Sequence, residues 1–186
     1  MKKILFILFL LVASLTVDAQ VNFMGIPVDG TKSEMISKLK QKGFEYKYDS
    51  YYDFDYLTGM FNGKNVFISI SVYKGKVWRI KVIDKAIYSE SSIKTQFNIL
   101  IKQFENNGKY TYLYDQKLDE NLDISYEIDV NKKQIEAAFI PLFDKKEWEP
   151  DFQGMVWLLI EKSGYDKYNI IIHYDNLSNM PKGEDL

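Results

Sequence analysis

Hydrophobic and polar residues near the start of the chain follow the pattern of an amphipathic helix. Thr31 and Glu34 stand three positions apart, as in a capping box, where each side chain satisfies a free amide of the first helical turn. Met35 and Leu39 then give one apolar face, and a glycine follows in the position typical of a helix C-cap. The pattern predicts a helix over residues 32–42.

The next segment, residues 44–56, changes to a period of two, which is typical of β-structure. Aromatic residues fall mainly on its even positions and charged residues on its odd positions, with a turn predicted near Ser50. This alternation predicts a buried aromatic face that includes Tyr46, Tyr52 and Phe54.

Further turn and helix signals divide the rest of the chain. Asn62-Gly63 is typical of a two-residue hairpin because both residues tolerate a positive φ, and Lys74-Gly75 leads into the next strand. Apolar residues then recur at helical spacing over 93–104, which predicts a second helix. The strands predicted after it occupy 110–114, 124–130, 134–140, 155–160 and 168–174. The fourth of these is apolar at every position, which predicts a strand covered on both faces.

The order of elements predicts an α+β fold in which two helices pack on antiparallel sheet. The two halves are alike, since each begins with a capped helix that ends at a glycine and continues with a tyrosine-rich strand. This favours a tandem repeat of a helix-plus-four-strand unit, with units at 31–84 and 89–176 inside a single domain over 20–186. Ordinary recurrence of capped helices explains the same pattern without duplication.

Residues 1–19 have the order of a secretory signal peptide. Two lysines precede an apolar run, and Val17 and Ala19 occupy the positions that signal peptidase reads. The apolar run is shorter than the roughly 18 residues needed to span a bilayer. We therefore expect cleavage before Gln20, no transmembrane anchor in the mature chain, and a periplasmic, cell-surface or secreted location.

Composition narrows the chemistry. The chain has no cysteine and one histidine, His173, which excludes disulfides, thiol nucleophiles and multi-histidine metal sites. The net charge is -2 and no basic excess is present, so nucleic acid is not an expected partner. Asp115, Asp119 and Asp123 offer oxygen ligands for a loose calcium site, for which a solvated acidic loop is the alternative. The sequence predicts no catalytic residue, no metal and no cofactor.

Both margins of the predicted mature chain carry a resemblance. Residues 23–31, with the helix that closes at 42–44, are similar to the start of exported proteins of Bacteroidetes-type bacteria, and residues 174–176 and 183–186 are similar to their ends. The tandem unit also resembles, more loosely, the β-lactamase-inhibitor-protein group. These resemblances imply an exported protein with a tandem helix-plus-sheet architecture, and they bring no catalytic residues.

Aromatic residues in charged surroundings are the candidates for a binding site. Tyr51 is the aromatic residue of segment 44–56 on the charged parity, and Trp148 lies in the charged loop 144–151. Such side chains offer a large contact area at low entropic cost. We expect Tyr51 and Trp148 to bind a protein or envelope component in an exported, non-enzymatic binding module. The alternatives are a small exported hydrolase that uses paired carboxylates and an inhibitor of an envelope enzyme.

Overall fold

A computed structural model describes residues 20–114, 117–142 and 153–183 of the chain. Within these ranges, the helices are α1 (Lys32–Gln41), α2 (Glu90–Asn106) and α3 (Ile124–Asp129). The strands of the same ranges are β1 (Asn22–Phe23), β2 (Ile26–Pro27), β3 (Glu45–Asp49), β4 (Phe54–Phe61), β5 (Lys64–Tyr73), β6 (Lys76–Asp84), β7 (Tyr110–Tyr114), β8 (Ile135–Pro141), β9 (Gly154–Gly164) and β10 (Lys167–Asn176).

Eight of these strands form one antiparallel sheet in the order β3-β4-β5-β6-β10-β9-β8-β7, and β1 with β2 forms a short ribbon. Helix α1 is followed by β3 to β6, and α2 is followed by β7 to β10, so a helix with four antiparallel strands occurs twice. The last strand of each run pairs with the other at the centre of the sheet. The predicted α+β class, with helices packed on antiparallel sheet, is confirmed, whereas duplication as its origin stays a prediction.

The local signals at α1 and at the turn between β4 and β5 produce the structures that the sequence predicts. Thr31 accepts a hydrogen bond from the Glu34 amide, and the Glu34 carboxylate accepts one from the Thr31 amide, so both halves of the capping box are present. Gly43, just after the helix, has a φ of 94°, which favours glycine because it has no Cβ. Asn62 and Gly63 have φ values of 50° and 72° in the turn between β4 and β5.

One face of the sheet, which we call the helix face, holds the main core. Side chains of alternate β10 residues, Ile170 and Ile172 among them, join a single buried cluster with Met35 and Leu39 of α1 and with Phe97 of α2. The ribbon β1–β2 also contributes to this cluster. Because the cluster draws on both runs of strands, they share one core.

The other face of the sheet, which we call the far face, carries a second and smaller apolar cluster. Ala138, Ile140 and Met155 are buried there, and Trp157 packs against them. In β9 the side chains of both parities are therefore buried over most of residues 154–160, as the sequence predicts for this segment.

The buried aromatic face predicted for residues 44–56 is wrong. Tyr52 is 75% exposed and Phe54 is 48% exposed, and Tyr46 is also exposed. Four turn residues separate β3 from β4, and Asp49 pairs directly with Phe54. Because paired residues point to the same face of a sheet, the even positions of β4 lie on the opposite face from the even positions of β3. The even-numbered aromatic residues of this segment therefore lie on both faces of the sheet, at its edge.

The strand predicted over 124–130 is also wrong, because these residues form helix α3. The Asp123 carboxylate accepts a hydrogen bond from the Tyr126 amide and caps the helix. Ile124 and Ile128, four positions apart, both contact the main core, while Tyr126 is exposed. Residues two positions apart share a face of a strand, and residues four positions apart share a face of a helix. Ile124 and Ile128 satisfy both conditions, so in such a short segment the alternation fits a strand and a helical turn equally well.

No helix of the described residues is long and apolar enough to cross a membrane. The predicted signal peptide, residues 1–19, lies outside the described residues.

Candidate functional site

The tip of the β3–β4 hairpin presents two tyrosines to solvent. Tyr51 is 85% exposed, in agreement with its expected position, and Tyr52 beside it is also exposed. Their ring centroids lie 4.7 Å apart at an interplanar angle of 86°, an edge-to-face arrangement that aromatic pairs prefer. The tip therefore displays a contiguous aromatic surface.

Side-chain hydrogen bonds order this tip. The Asp49 carboxylate accepts bonds from the amides of Tyr51 (2.9 Å) and Tyr52 (3.2 Å), which is the turn geometry that aspartate favours. The Tyr48 hydroxyl donates to Asp53 at 2.6 Å, and this hydrogen bond raises the pKa of Tyr48. These bonds stabilise the turn in the absence of a partner.

A third carboxylate ties the hairpin to the helix that precedes it. The Lys32 ammonium of α1 donates to Asp55 at 2.6 Å, and the Tyr46 hydroxyl approaches the other carboxylate oxygen at 3.4 Å. These contacts lie on the helix face of the sheet. They fix the angle at which the hairpin leaves the core.

Three further aromatic side chains of the same edge of the sheet lie on the far face. The rings of Phe54 and Tyr56 are stacked with centroids 6.1 Å apart, and Tyr56 meets Phe67 edge to face at 5.4 Å. The Lys85 ammonium lies 4.3 Å from the centroid of Phe67, within the range of a cation–π contact. We call Tyr51, Tyr52, Phe54, Tyr56 and Phe67 the aromatic surface.

Sequence reasoning found one member of this surface and missed the others. Tyr51 was expected to be exposed, whereas Tyr52 and Phe54 were assigned to the core. The sequence does indicate that Phe67 lies on the opposite face of β5 from the buried Ile68, because Phe67 alternates with Ser69 along the strand. Trp148, the second predicted binding residue, lies outside the described residues.

At the centre of the far face, an ion pair joins the two central strands. Arg79 of β6 donates to both carboxylate oxygens of Asp175 of β10, with N–O distances of 2.6 and 2.5 Å. Trp78 is the extra residue of a β-bulge, and the Arg79 guanidinium lies 4.5 Å from the centroid of its ring. Burial raises the pKa of Asp175, and the bonds from Arg79 oppose that effect. Both oxygens of Asp175 are engaged, so this carboxylate has a structural role.

His173 neighbours this pair on β10. Its register partners are Lys81 on β6 and Trp157 on β9. Burial, together with the positive charges of Arg79 and Lys81, lowers the pKa of His173 to about 3. Its Nε2 atom is buried without a hydrogen-bond partner among the described residues. A ring with so low a pKa is a weak proton acceptor at neutral pH, which disfavours a role as general base.

The carboxylates of the β3–β4 hairpin are engaged in hydrogen bonds of the fold. Asp49, Asp53 and Asp55 of the hairpin each accept hydrogen bonds within the fold. No group of three or more His, Cys, Asp or Glu side chains in the described ranges has a geometry suited to a metal ion.

The residues considered for a calcium site have local roles where they are described. Asp119 accepts a hydrogen bond from the amide of Asn121 in its own turn, and Asp123 caps α3. Asp115 lies outside the described residues. These bonds account for the two described acidic side chains as turn and capping groups.

Comparison of the chain with models of known protein families, with curated proteins and with solved structures finds no match. The assignment of a function therefore rests on the geometry of the chain itself.

The low pKa of His173 predicts an acid sensitivity that its replacement removes. Its folded-state pKa lies below the ordinary value, so the unfolded chain binds the proton more readily and stability falls as the pH falls from about 6.5 towards 3. Between pH 7 and pH 4, His173→Leu should gain about 1–2 kcal/mol of stability relative to the wild type, after allowance for partial solvent access to the ring.

Urea unfolding of both proteins across this pH range measures the difference. Because Asp175 is present in both, its own titration cancels in the comparison. Parallel stability curves would show that the ring is not held neutral.

Proposed function

We propose that this protein is an exported, non-enzymatic binding module that captures a protein partner of the cell envelope through the aromatic surface of the β3–β4 hairpin. The observation that carries the proposal is the exposure of Tyr51, Tyr52 and Phe54 on a hairpin whose turn is ordered by its own aspartates. Contiguous exposed aromatic side chains often mark interaction sites, and tyrosine is among the residues that most often dominate binding energy.

Order in the hairpin supports affinity. Binding costs free energy when loops and long side chains must be immobilised, and this cost is smaller when the loop already has its bound conformation. The bonds that two backbone amides donate to Asp49 and that Tyr48 donates to Asp53 provide that order. The tyrosines themselves have few rotatable bonds, so fixing them costs little entropy.

Charge indicates the character of the partner. Residues 45–56 contain four acidic side chains and one basic side chain, a net charge of -3. A partner surface with lysine or arginine around an apolar centre complements this hairpin, and such complementarity raises the rate of association. Binding is therefore expected to weaken as the salt concentration rises.

Export is supported by residues 1–19 and by the resemblance of the chain margins to exported bacterial proteins. N-terminal sequencing of the protein recovered from outside the cytoplasm should begin at Gln20, because signal peptidase cleaves after small residues such as Ala19. Recovery of the intact chain, with Met1, in a membrane fraction would contradict export by a cleaved signal peptide.

A second candidate function is inhibition of an envelope enzyme. It is favoured by the twofold occurrence of a helix with four antiparallel strands, the architecture implied by the loose sequence resemblance to the β-lactamase-inhibitor-protein group. The two candidates differ in their outcome, because an inhibitor lowers the activity of the enzyme that it captures and a plain binding module leaves its partner active.

Substitutions in the aromatic surface should separate binding from folding. Tyr51→Ala and Tyr52→Ala should each change the free energy of unfolding by less than about 0.5 kcal/mol, because both side chains are mainly exposed. Each should weaken partner binding by at least about tenfold, as the loss of an interface aromatic commonly does. Chemical denaturation and crosslinked capture from the native envelope, followed by affinity measurement on the recovered partner, test the two effects.

Tyr165→Ala is the matched control. Tyr165 is 95% exposed in the turn between β9 and β10, away from the β3–β4 hairpin in the sheet order. Its replacement should alter neither stability nor binding. Binding that is equally reduced by all three substitutions, or by none of them, would contradict the assignment of the hairpin as the binding surface.

A further inference from the structure

A groove of about 1130 Å³ lies on the helix side of the protein, between α2 and the β1–β2 ribbon. Its walls include Asn22 on β1, Phe61 and Asn62 at the β4–β5 turn, and Gln103 on α2, while Tyr110 and Tyr174 line it from β7 and β10. Both runs of strands thus contribute to one cavity. The volume is slightly above the range of about 300–1,000 Å³ that is usual for small-molecule sites.

The polar lining of the groove is almost entirely uncharged. Five side-chain amides line it together with one charged side chain, Lys109, and no carboxylate is among the described lining residues. The Asn62 amide donates to the side-chain oxygen of Gln103 at 2.6 Å, which links the β4–β5 turn to α2. The NH₂ group of Gln103 and the side-chain oxygen of Asn62 make no further bond among the described residues and remain available to a ligand.

The hydroxyl group of a largely buried tyrosine opens onto the same groove. Tyr174 is only 6% exposed, and its ring packs against Phe23 and Phe61 with centroid distances of 5.0 and 6.5 Å. Burial raises the pKa of Tyr174, so the hydroxyl keeps its proton. Among the described residues it has no hydrogen-bond partner, and it is not one of the fully buried atoms that lack one, so it is open to the solvent of the groove. Because Tyr174 lines the groove, a bound molecule is positioned to supply that partner.

These features select the chemistry of the ligand. Side-chain amides and a tyrosine hydroxyl both donate and accept hydrogen bonds, as sugar hydroxyl groups do. A strongly charged ligand would find one cation and no described carboxylate, and a purely apolar ligand would leave the amides and the Tyr174 hydroxyl without partners, which is costly. The partly exposed rings of Phe61 and Tyr110 offer apolar surface to the C–H faces of a sugar ring.

We propose that this groove binds a neutral oligosaccharide, with the Tyr174 hydroxyl and the amides of Asn62 and Gln103 as hydrogen-bonding groups. The size of the groove calls for several linked sugar units and not for a monosaccharide. The site is separate from the aromatic surface and shares no residue with it, so it gives the binding module a second, carbohydrate-specific function.

Isothermal titration of the purified protein with maltotetraose, cellotetraose and tetra-N-acetylchitotetraose tests this assignment. At least one of the three should bind with a dissociation constant in the micromolar to low millimolar range. Tyr174→Phe, which removes one oxygen atom and keeps the ring, should weaken that binding by about tenfold, since it removes one of the hydrogen-bonding groups of the site. Gln103→Ala, on the exposed surface of α2, should weaken it several-fold without endangering the fold.

Two controls keep the outcome specific. Tyr126→Phe removes a hydroxyl from an exposed tyrosine of α3 outside the groove and should bind as the wild type does, as should Tyr51→Ala in the aromatic surface. Failure of all three oligosaccharides to bind at millimolar concentration would overturn the proposal. So would unchanged affinity in both Tyr174→Phe and Gln103→Ala, or tighter binding of a neutral hexapeptide of Ser, Gly and Ala than of any of the three sugars.

Discussion

The pairing of β6 with β10 is the interaction on which the rest of the structure depends. Each run of a helix and four strands ends in one of these two strands, and their ladder converts two four-stranded pieces into one eight-stranded sheet. Arg79 and Asp175 lie opposite each other in that ladder and form a bidentate ion pair, with the Asp175 side chain almost fully buried. Removal of one partner from such a pair typically costs about 3–5 kcal/mol, because the other charge is left buried and alone.

The positions of both proposed sites follow from the pairing of β6 with β10. The sheet places β3 at one edge, and the side chains of the aromatic surface lie outside the main core, so they face solvent and are free to serve in binding. The groove, in contrast, exists only where the two runs meet, because Phe61 comes from the first run and Tyr174 from the second. The aromatic surface therefore lies away from the β6–β10 pairing, whereas the groove lies close to it.

Much of the fold was predictable because its signals are local. The capping box of Thr31 and Glu34 and the Asn62-Gly63 turn act within a few residues, and both formed as expected. The positions of Tyr52 and Phe54 were not predictable from alternation alone, because the face that a residue occupies after a turn depends on the number of turn residues and on the pairing across it. Helix α3 escaped detection because six residues are too few to distinguish a period of two from one of 3.6.

The candidate sites were harder to predict than the fold. Tyr51 was identifiable from its charged neighbours, but the contact of Tyr56 with Phe67 depends on how β4 pairs with β5, and Gln103 approaches Asn62 from 41 positions along the chain. The unpartnered hydroxyl of Tyr174 is visible only once the packing around it is known. Such features arise from tertiary structure, and periodicity carries no information about them.

Native-state hydrogen exchange tests most directly whether the β6–β10 joint makes the protein one cooperative unit. The slowest amides of β5 and β6 in the first run and of β9 and β10 in the second should exchange with the same free energy of opening, equal to that of global unfolding, and should respond equally to added denaturant. A lower opening free energy for all the strands of one run would show that this run unfolds on its own, which would contradict a single sheet held together at its centre.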